Sequence, residues 1–324
     1  MFIFSGFNNA SAASDPGEEF NPGDMILHHV VDDHIWHFFD GPMGTLYLPV
    51  ILYSSDRGLE VFSSSNFYDD HHQLVTYNGY KVDHSHIVPV DEGRHIIDFS
   101  ITKNVASMFV SVALLFLVFF SVRKGYTSNE GKAPKGIQSF FEPIIIFIRD
   151  EVARPNIGDK YEKFLPYLLT IFFFIWFNNL MGLLPGAANV TGNLAVTGTL
   201  AIFTFIITQF SGNKQYWQHI FNTPGVPWWL KIPLPIMPVV ELIGVFTKPF
   251  SLTVRLFANI TAGHIIILSL FSLIFIFQSI WVGPLSVAFA VFMFFLELFV
   301  ALLQAFIFTI LSAMYFGAAV EDHH

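Results

Sequence analysis

From residue 105 onward the chain is dominated by long apolar runs, 105–122, 164–184, 194–210, 233–277 and 282–316, with a charged stretch between the first two and hardly a charge after residue 163. Few folds accept such a chain. In hydrocarbon no water satisfies backbone N–H and C=O groups, so an apolar segment must bond within itself as a helix or within a closed barrel. About 20 apolar residues in a helix cross the roughly 30 Å of a bilayer core. Run 105–122 (VASMFVSVALLFLVFFSV) is just long enough, and the next two are ordinary spans. Residues 233–277 are too many for one ordinary span. They form either two helices or one long oblique helix, and periodicity does not choose between them.

Charge divides the chain in two. Only 13% of its 324 residues are charged, against about 25% in soluble domains. Residues 1–100 nevertheless hold 15 of the 25 acidic residues, 9 of the 13 histidines and 3 of the 16 Lys and Arg. Within residues 45–90, the runs TLYLPVILY, LEVF, QLVTY and HIVPV alternate apolar and polar positions between the turn signals SSDRG, DDHH and YNGY, which predicts a small β-rich extramembrane segment. Arg123 and Lys124 follow the first span directly. The positive-inside rule therefore puts the acidic segment outside, periplasmic in a bacterium, and loop 123–163 inside. Residues 137–152 are amphipathic and lead into mixed charge, which suits an interfacial helix or shallow hairpin. The Trp- and Pro-rich residues 215–231 suit a loop at the headgroup layer. Small residues 10–14 (ASAAS) resemble the stretch before a leader cleavage site, with an irregular N-terminus as the alternative. A net charge of −9 argues against a nucleic-acid surface. Without cysteine there is no disulfide framework or thiolate chemistry.

Beyond Lys163 the fixed charges are Lys214, Lys231, Glu241, Lys248, Arg255, Glu297, Glu321 and Asp322. A charge at mid-bilayer costs about 2.5–3.5 kcal/mol on insertion scales, so it faces a cavity or a partner. Glu241, Gly244, Lys248, Ser251, Arg255 and Asn259 recur every three or four residues, which makes one polar stripe on an apolar helix. Ala262 and Gly263 continue that face and leave room for another helix to approach. Glu297, Ala301, Gln304 and Phe308 make a second stripe. His264 lies nine residues beyond Arg255, half a turn out of phase, and is expected to face a different helix, that of Glu297 being the candidate. Intramembrane amides such as Asn178 and Asn179 serve equally well as bonds between helices, at about 0.6 kcal/mol each. Arg255 is different: guanidinium does not deprotonate, and no acid lies three or four positions away, so its partner is distant or on another chain.

The segments KPFSLTVRLFANITAGH and QAFIFTILSAMY, with FNNLMGLLP in the second span and Glu241 fourteen residues before Arg255, resemble the a subunit of F-type ATP synthases from about Lys103 to the C-terminal end. The resemblance implies an all-α polytopic membrane protein with two long tilted helices packed against a rotor ring, here joined to the β-rich N-terminal segment. It thereby favours one long helix over residues 233–277. It gives Arg255 the place of the family's essential arginine, Asn259 that of its neighbouring asparagine and Gln304 that of the glutamine packed close to it. Many members carry an acid where this chain has His264 and a histidine where it has Glu297. The exchange keeps one imidazole and one carboxylate across the two helices. Gly182 stands where some members have Asp, leaving Asn178 and Asn179 to line that part of the inlet.

The implied function is that of the stator subunit carrying protons past the rotor through two offset half-channels. His264, Glu297, Asn178, Asn179 and Gln304 would serve the outer one, and Glu241, Lys248 and Ser251 the cytoplasmic one. Arg255 between them would drive proton release from rotor carboxylates and block leakage. Implied partners are the c-ring, peripheral-stalk b subunits, the other synthase subunits and membrane lipid, with no cofactor. The chain has no G-x-x-x-x-G-K-[ST] loop, in keeping with nucleotide chemistry on other subunits. A secondary transporter using Glu241, Arg255 and Glu297 is the competing reading, and the lack of an internal repeat counts against it. In the N-terminal segment, His28, His29, Asp32, Asp33, His34 and His37 offer divalent-metal ligands, set against a plain solvated acidic segment.

Overall fold

The structure, a computed structural model, describes residues 32–37, 44–69, 73–83, 85–91, 93–128, 131–184, 188–221, 236–277 and 282–321. Two compact units emerge. One contains Met1–Val110, Leu180–Val190 and Thr261–Leu298; the other contains Ser111–Asn179, Thr191–Ile260 and Phe299–His324.

In the first unit the N-terminal part is strand-rich. Strands β1 (Ile35–His37) and β2 (Thr45–Tyr47) pair antiparallel. Strands β3 (Pro49–Ser54), β4 (Gly58–Ser63) and β7 (Ile96–Asp98) form a sheet in the order β4-β3-β7, and β5 (Tyr80–Asp83) pairs with β6 (His86–Pro89). Three expected strands are present, but QLVTY is not one. It makes only isolated bridges, Tyr68 with Leu74 and Tyr77 with Tyr80. Asn78 and Gly79 both adopt positive φ, 51° and 81°, the two-residue hairpin geometry that Asn-Gly favours, but the hairpin is closed only by the Tyr77–Tyr80 bridge. Strand β5 starts at Tyr80, which pairs with Pro89 of β6. Val50, Leu52, Phe67, Tyr80 and Ile87 fill a small core.

Among the described residues seven helices of eight residues or more follow: α1 (Lys103–Ser128), α2 (Ile137–Phe147), α3 (Tyr161–Gly182), α4 (Leu194–Ser211), α5 (Lys214–Phe221), α6 (Ile236–Phe277) and α7 (Val282–Val320). Among the described residues five stretches are long and apolar enough to cross a membrane: Lys103–Ser128, Ile137–Gly182, Leu194–Ser211, Val239–Leu273 and Gly283–Val320. The run that periodicity left open, and that the resemblance gives as one long helix, is a single helix, α6, of 42 residues. At 1.5 Å per residue its contour is about 63 Å, twice the hydrocarbon thickness. The expected loop 215–231 begins instead as helix α5, because Pro224 and Pro227, which stop a helix, come only after Phe221. The rest of that stretch lies outside the described residues, as do residues 10–14.

The second unit is a bundle of antiparallel helices. After α2 the chain makes a π-helical turn at Ile148–Ala153 and one α-turn at Arg154–Ile157. It reverses at Gly158, whose φ is 72°. The mixed charge here is internally paired, Asp150 bonding Arg149 at 2.8 Å and Arg154 at 2.9 Å. Phe141 then packs against Phe173 and Phe177 of α3. Helices α3 and α7 hold one antiparallel register along their common length: Lys160 Nζ donates to Val320 O, Phe164 stacks on Phe316, and Asn179 Nδ2 donates to Ala301 O. Gly317 faces the Asn156 carbonyl at a distance no side chain could share.

Candidate functional site in the apolar helices

Within the second unit, α6 presents three faces. Val245, Leu252, Leu256 and Ile260 are buried in the core. Phe246, Phe250 and Val254 are exposed on the far side. At 100° per residue the stripe Glu241, Gly244, Lys248, Ser251, Arg255 and Asn259 occupies the sector between those two faces. Arg255 is half-buried and Asn259 exposed. Among the described residues no hydrogen bond or ion pair engages Arg255, although its guanidinium acts electrostatically on the Tyr315 hydroxyl. Lys248 Nζ sits over the Tyr315 ring, 5.3 Å from its centre. Tyr315, Lys248, Thr204, Thr208 and Gln209 line a narrow crevice. Glu241 is half-exposed and interacts with Lys248 electrostatically. Tyr315 went unassigned in the sequence, although it lies eleven residues, three helical turns, beyond Gln304 and so shares its face.

Asn178 and Asn179 join helices. Ser111 Oγ of α1 donates to Asn178 Oδ1 at 2.9 Å, and Asn178 Nδ2 donates to Phe174 O at 2.7 Å. Asn179 Nδ2 reaches Ala301 O of α7 at 3.0 Å while Thr191 Oγ1 donates to its Oδ1 at 2.6 Å. Both amides are buried. Adjacent residues point about 100° apart on a helix, so this pair reaches neighbours on two sides. Gln304 is buried one turn beyond Ala301 and hydrogen-bonds no described residue.

In the first unit, His264 of α6 and Glu297 of α7 meet: Nδ1 lies 3.6 Å from Oε1. Glu297 is buried, and neither of its carboxyl oxygens has a hydrogen-bond partner. Gly263 makes this approach possible, because a Cβ there would stand 2.8 Å from Glu297 Oε1. A buried carboxyl without donors is costly. Beside an imidazole it has a proton-exchange partner within reach of a small side-chain rotation.

Of the candidate metal ligands, Asp32, Asp33 and His34 have other contacts. His28 and His29 lie outside the described residues. Asp32 Oδ1 accepts from Asn104 N–H at 3.1 Å and Asp33 O from Lys103 N–H at 2.8 Å, satisfying amides at the start of α1, where carboxylates also favour the helix dipole. His34 is buried with Nε2 3.8 Å from Asp98 Oδ2, and His37 closes β1. Burial opposes ionisation of Asp98, but the His34 imidazole and Ser100 beside it hold its carboxyl below the usual range. Burial, with Asp33 adding to it, pushes Tyr68 up to about 12. Among the described residues no three His, Asp or Glu side chains converge on a metal position.

Comparison with known proteins follows the same division. A family model described as ATP synthase A chain matches residues 105–317, and a domain of unknown function matches residues 25–108. The chain is 42% identical over 332 residues to ATP synthase subunit a 2 of Chlorobaculum tepidum, covering 99% of this chain and 80% of that protein. It is 48% identical over 246 residues to ATP synthase subunit a of Chloroherpeton thalassium, covering 74% and 72%. With the Anaeromyxobacter subunit a the identity is 38%, covering 97% and 75%. With its apolar helices, its polar stripes and these relatives, the chain belongs to the ATP synthase A chain family.

Proposed function

We propose that this chain is the stator subunit through which protons pass the rotor of an F-type ATP synthase, with residues 1–102 outside the inner membrane and residues 103–324 forming the membrane part. It performs no nucleotide chemistry itself. Its partners are the c-ring, the b subunits of the peripheral stalk and the remaining synthase subunits.

The observation that carries this reading is Arg255. A guanidinium that keeps its charge has no anionic partner among the described residues and stands beside an exposed apolar face of α6. A carboxylate on a moving neighbour completes it. As each rotor carboxylate arrives, Arg255 favours its ionised form and the proton leaves. The same positive charge repels a proton attempting to pass directly between the half-channels.

His264 and Glu297 hand protons to the rotor from the outer side, with Asn178, Asn179 and Gln304 bordering that path. On the cytoplasmic side Glu241, Lys248 and Ser251 border the exit. An elementary charge crossing 100 mV carries about 2.3 kcal/mol, so several crossings must accumulate in rotation for each synthesis step. Arg255→Ala in the assembled complex is expected to abolish ATP-driven acidification of inverted vesicles while ATP hydrolysis by the soluble sector persists. Undiminished acidification would refute the assignment.

A further inference from the structure

One face of the β4-β3-β7 sheet is apolar and exposed. Strand alternation sends Val50 and Leu52 into the core and turns Ile51 and Tyr53 the other way. Val61 stands opposite Ile51, and Leu59 and Ile97 flank Tyr53. Phe99, whose N–H donates to Ile51 O, completes two rows of three. Tyr53 is 47% exposed, Leu59 64%, Val61 61%, Ile97 55% and Phe99 62%. The solvated face of an antiparallel sheet normally carries polar residues; here both faces are apolar.

Chain continuity indicates what covers it. The ladder continues past β7, with Ile101 N–H donating to Pro49 O. Thr102 alone then separates the sheet from α1, whose first amides are bonded to Asp33 and Asp32. At about 3.5 Å per residue the sheet is fastened to the outer end of a membrane-crossing helix. At these exposures the face presents on the order of 600 Å², below the roughly 800 Å² that each partner buries in a standard interface. A free protein docking there would lose its translational freedom against a contact smaller than the standard one. A surface already delivered to the face by α1 carries no such penalty. None of the six residues is charged, and Tyr and Phe favour the boundary between headgroups and acyl chains.

We propose that the face formed by Ile51, Tyr53, Leu59, Val61, Ile97 and Phe99 rests on the headgroup–acyl boundary of the leaflet where α1 begins, docking the N-terminal segment on lipid. This rests on α1 crossing the membrane and not on the proton path, so either idea can fail without the other. The chain has no cysteine, so Val61→Cys, Ile97→Cys and, as a control on β5, Lys81→Cys each give one labelling site. Each variant would be labelled with an environment-sensitive fluorophore in the complex, reconstituted into phosphatidylcholine–phosphatidylglycerol vesicles. At positions 61 and 97 the expected result is blue-shifted emission, quenching by a shallow doxyl lipid several-fold stronger than at position 81, and protection from aqueous iodide. Water-like emission with iodide quenching at positions 61 and 97 would overturn the proposal. So would blue-shifted emission without lipid quenching, which would mean that protein covers the face.

Discussion

The carboxyl of Glu297 reaches α6 only because residue 263 has no side chain. The far end of a flexible side chain can yield, so Gly263→Ala should leave the protein assembled while pushing the carboxyl away from His264. Proton pumping is expected to fall about tenfold, equivalent to about 1.4 kcal/mol, with the amount of assembled complex unchanged on native gels. Asp98 makes a pH prediction of a different kind. Its folded pKa is depressed, so the unfolded segment binds more protons in acid, and stability rises with pH there. The contribution is complete above the unfolded value of about 3.9 and is lost as pH falls through the lower folded value. Hydrogen exchange of the β3 and β7 amides between pH 5 and pH 2, corrected for intrinsic rates, should show this loss, and Asp98→Asn should flatten it. Arg255 was legible in the sequence as a charge too costly to leave without a partner. Tyr315 was not, because nothing in its own segment announces that two cations of α6 act on it.

Between elements, helical phase carried much of the site. Half a turn separates His264 from Arg255, which was enough to expect His264 on another helix, and the structure puts its ring beside Glu297. If imidazole and carboxyl act as one proton-exchanging unit, the double exchange His264→Glu with Glu297→His should retain more pumping than either single change. Equal losses in all three variants would separate the two residues functionally. The partners of Asn178 and Asn179 were not legible. An amide bonds whatever donor or carbonyl the neighbouring helix presents at its level, and that depends on the α3–α7 register tying Asn179 to Ala301 and on the α1–α3 contact bringing Ser111 to Asn178. The loop expected at residues 215–231 shows a related limit. Its prolines mark where a helix must stop and leave open what precedes them, here the eight-residue helix α5.

For the whole molecule, the charge bias makes a topology prediction. Lys81→Cys should react with an impermeant maleimide in right-side-out vesicles, and Lys132→Cys should react only after the membrane is opened. The reverse pattern would invert the assigned orientation. By itself the sequence determined the class of molecule: nearly charge-free apolar runs of 17 residues or more suit helices crossing lipid rather than alternating barrel strands, and the alternating N-terminal runs predict a small strand-rich segment. It also marked Arg255, Asn259, His264, Glu297 and Gln304, since the cost of an intramembrane polar group and its helical phase are local properties. Periodicity left open whether residues 233–277 make one helix or two, and only the resemblance favoured the single helix that the structure has. Tertiary structure alone decided that Asn178 and Asn179 bind helices together and that one face of the β4-β3-β7 sheet is exposed among the described residues. Each of these depends on which distant groups come to lie opposite, and local alternation or periodicity specifies a face without specifying what meets it.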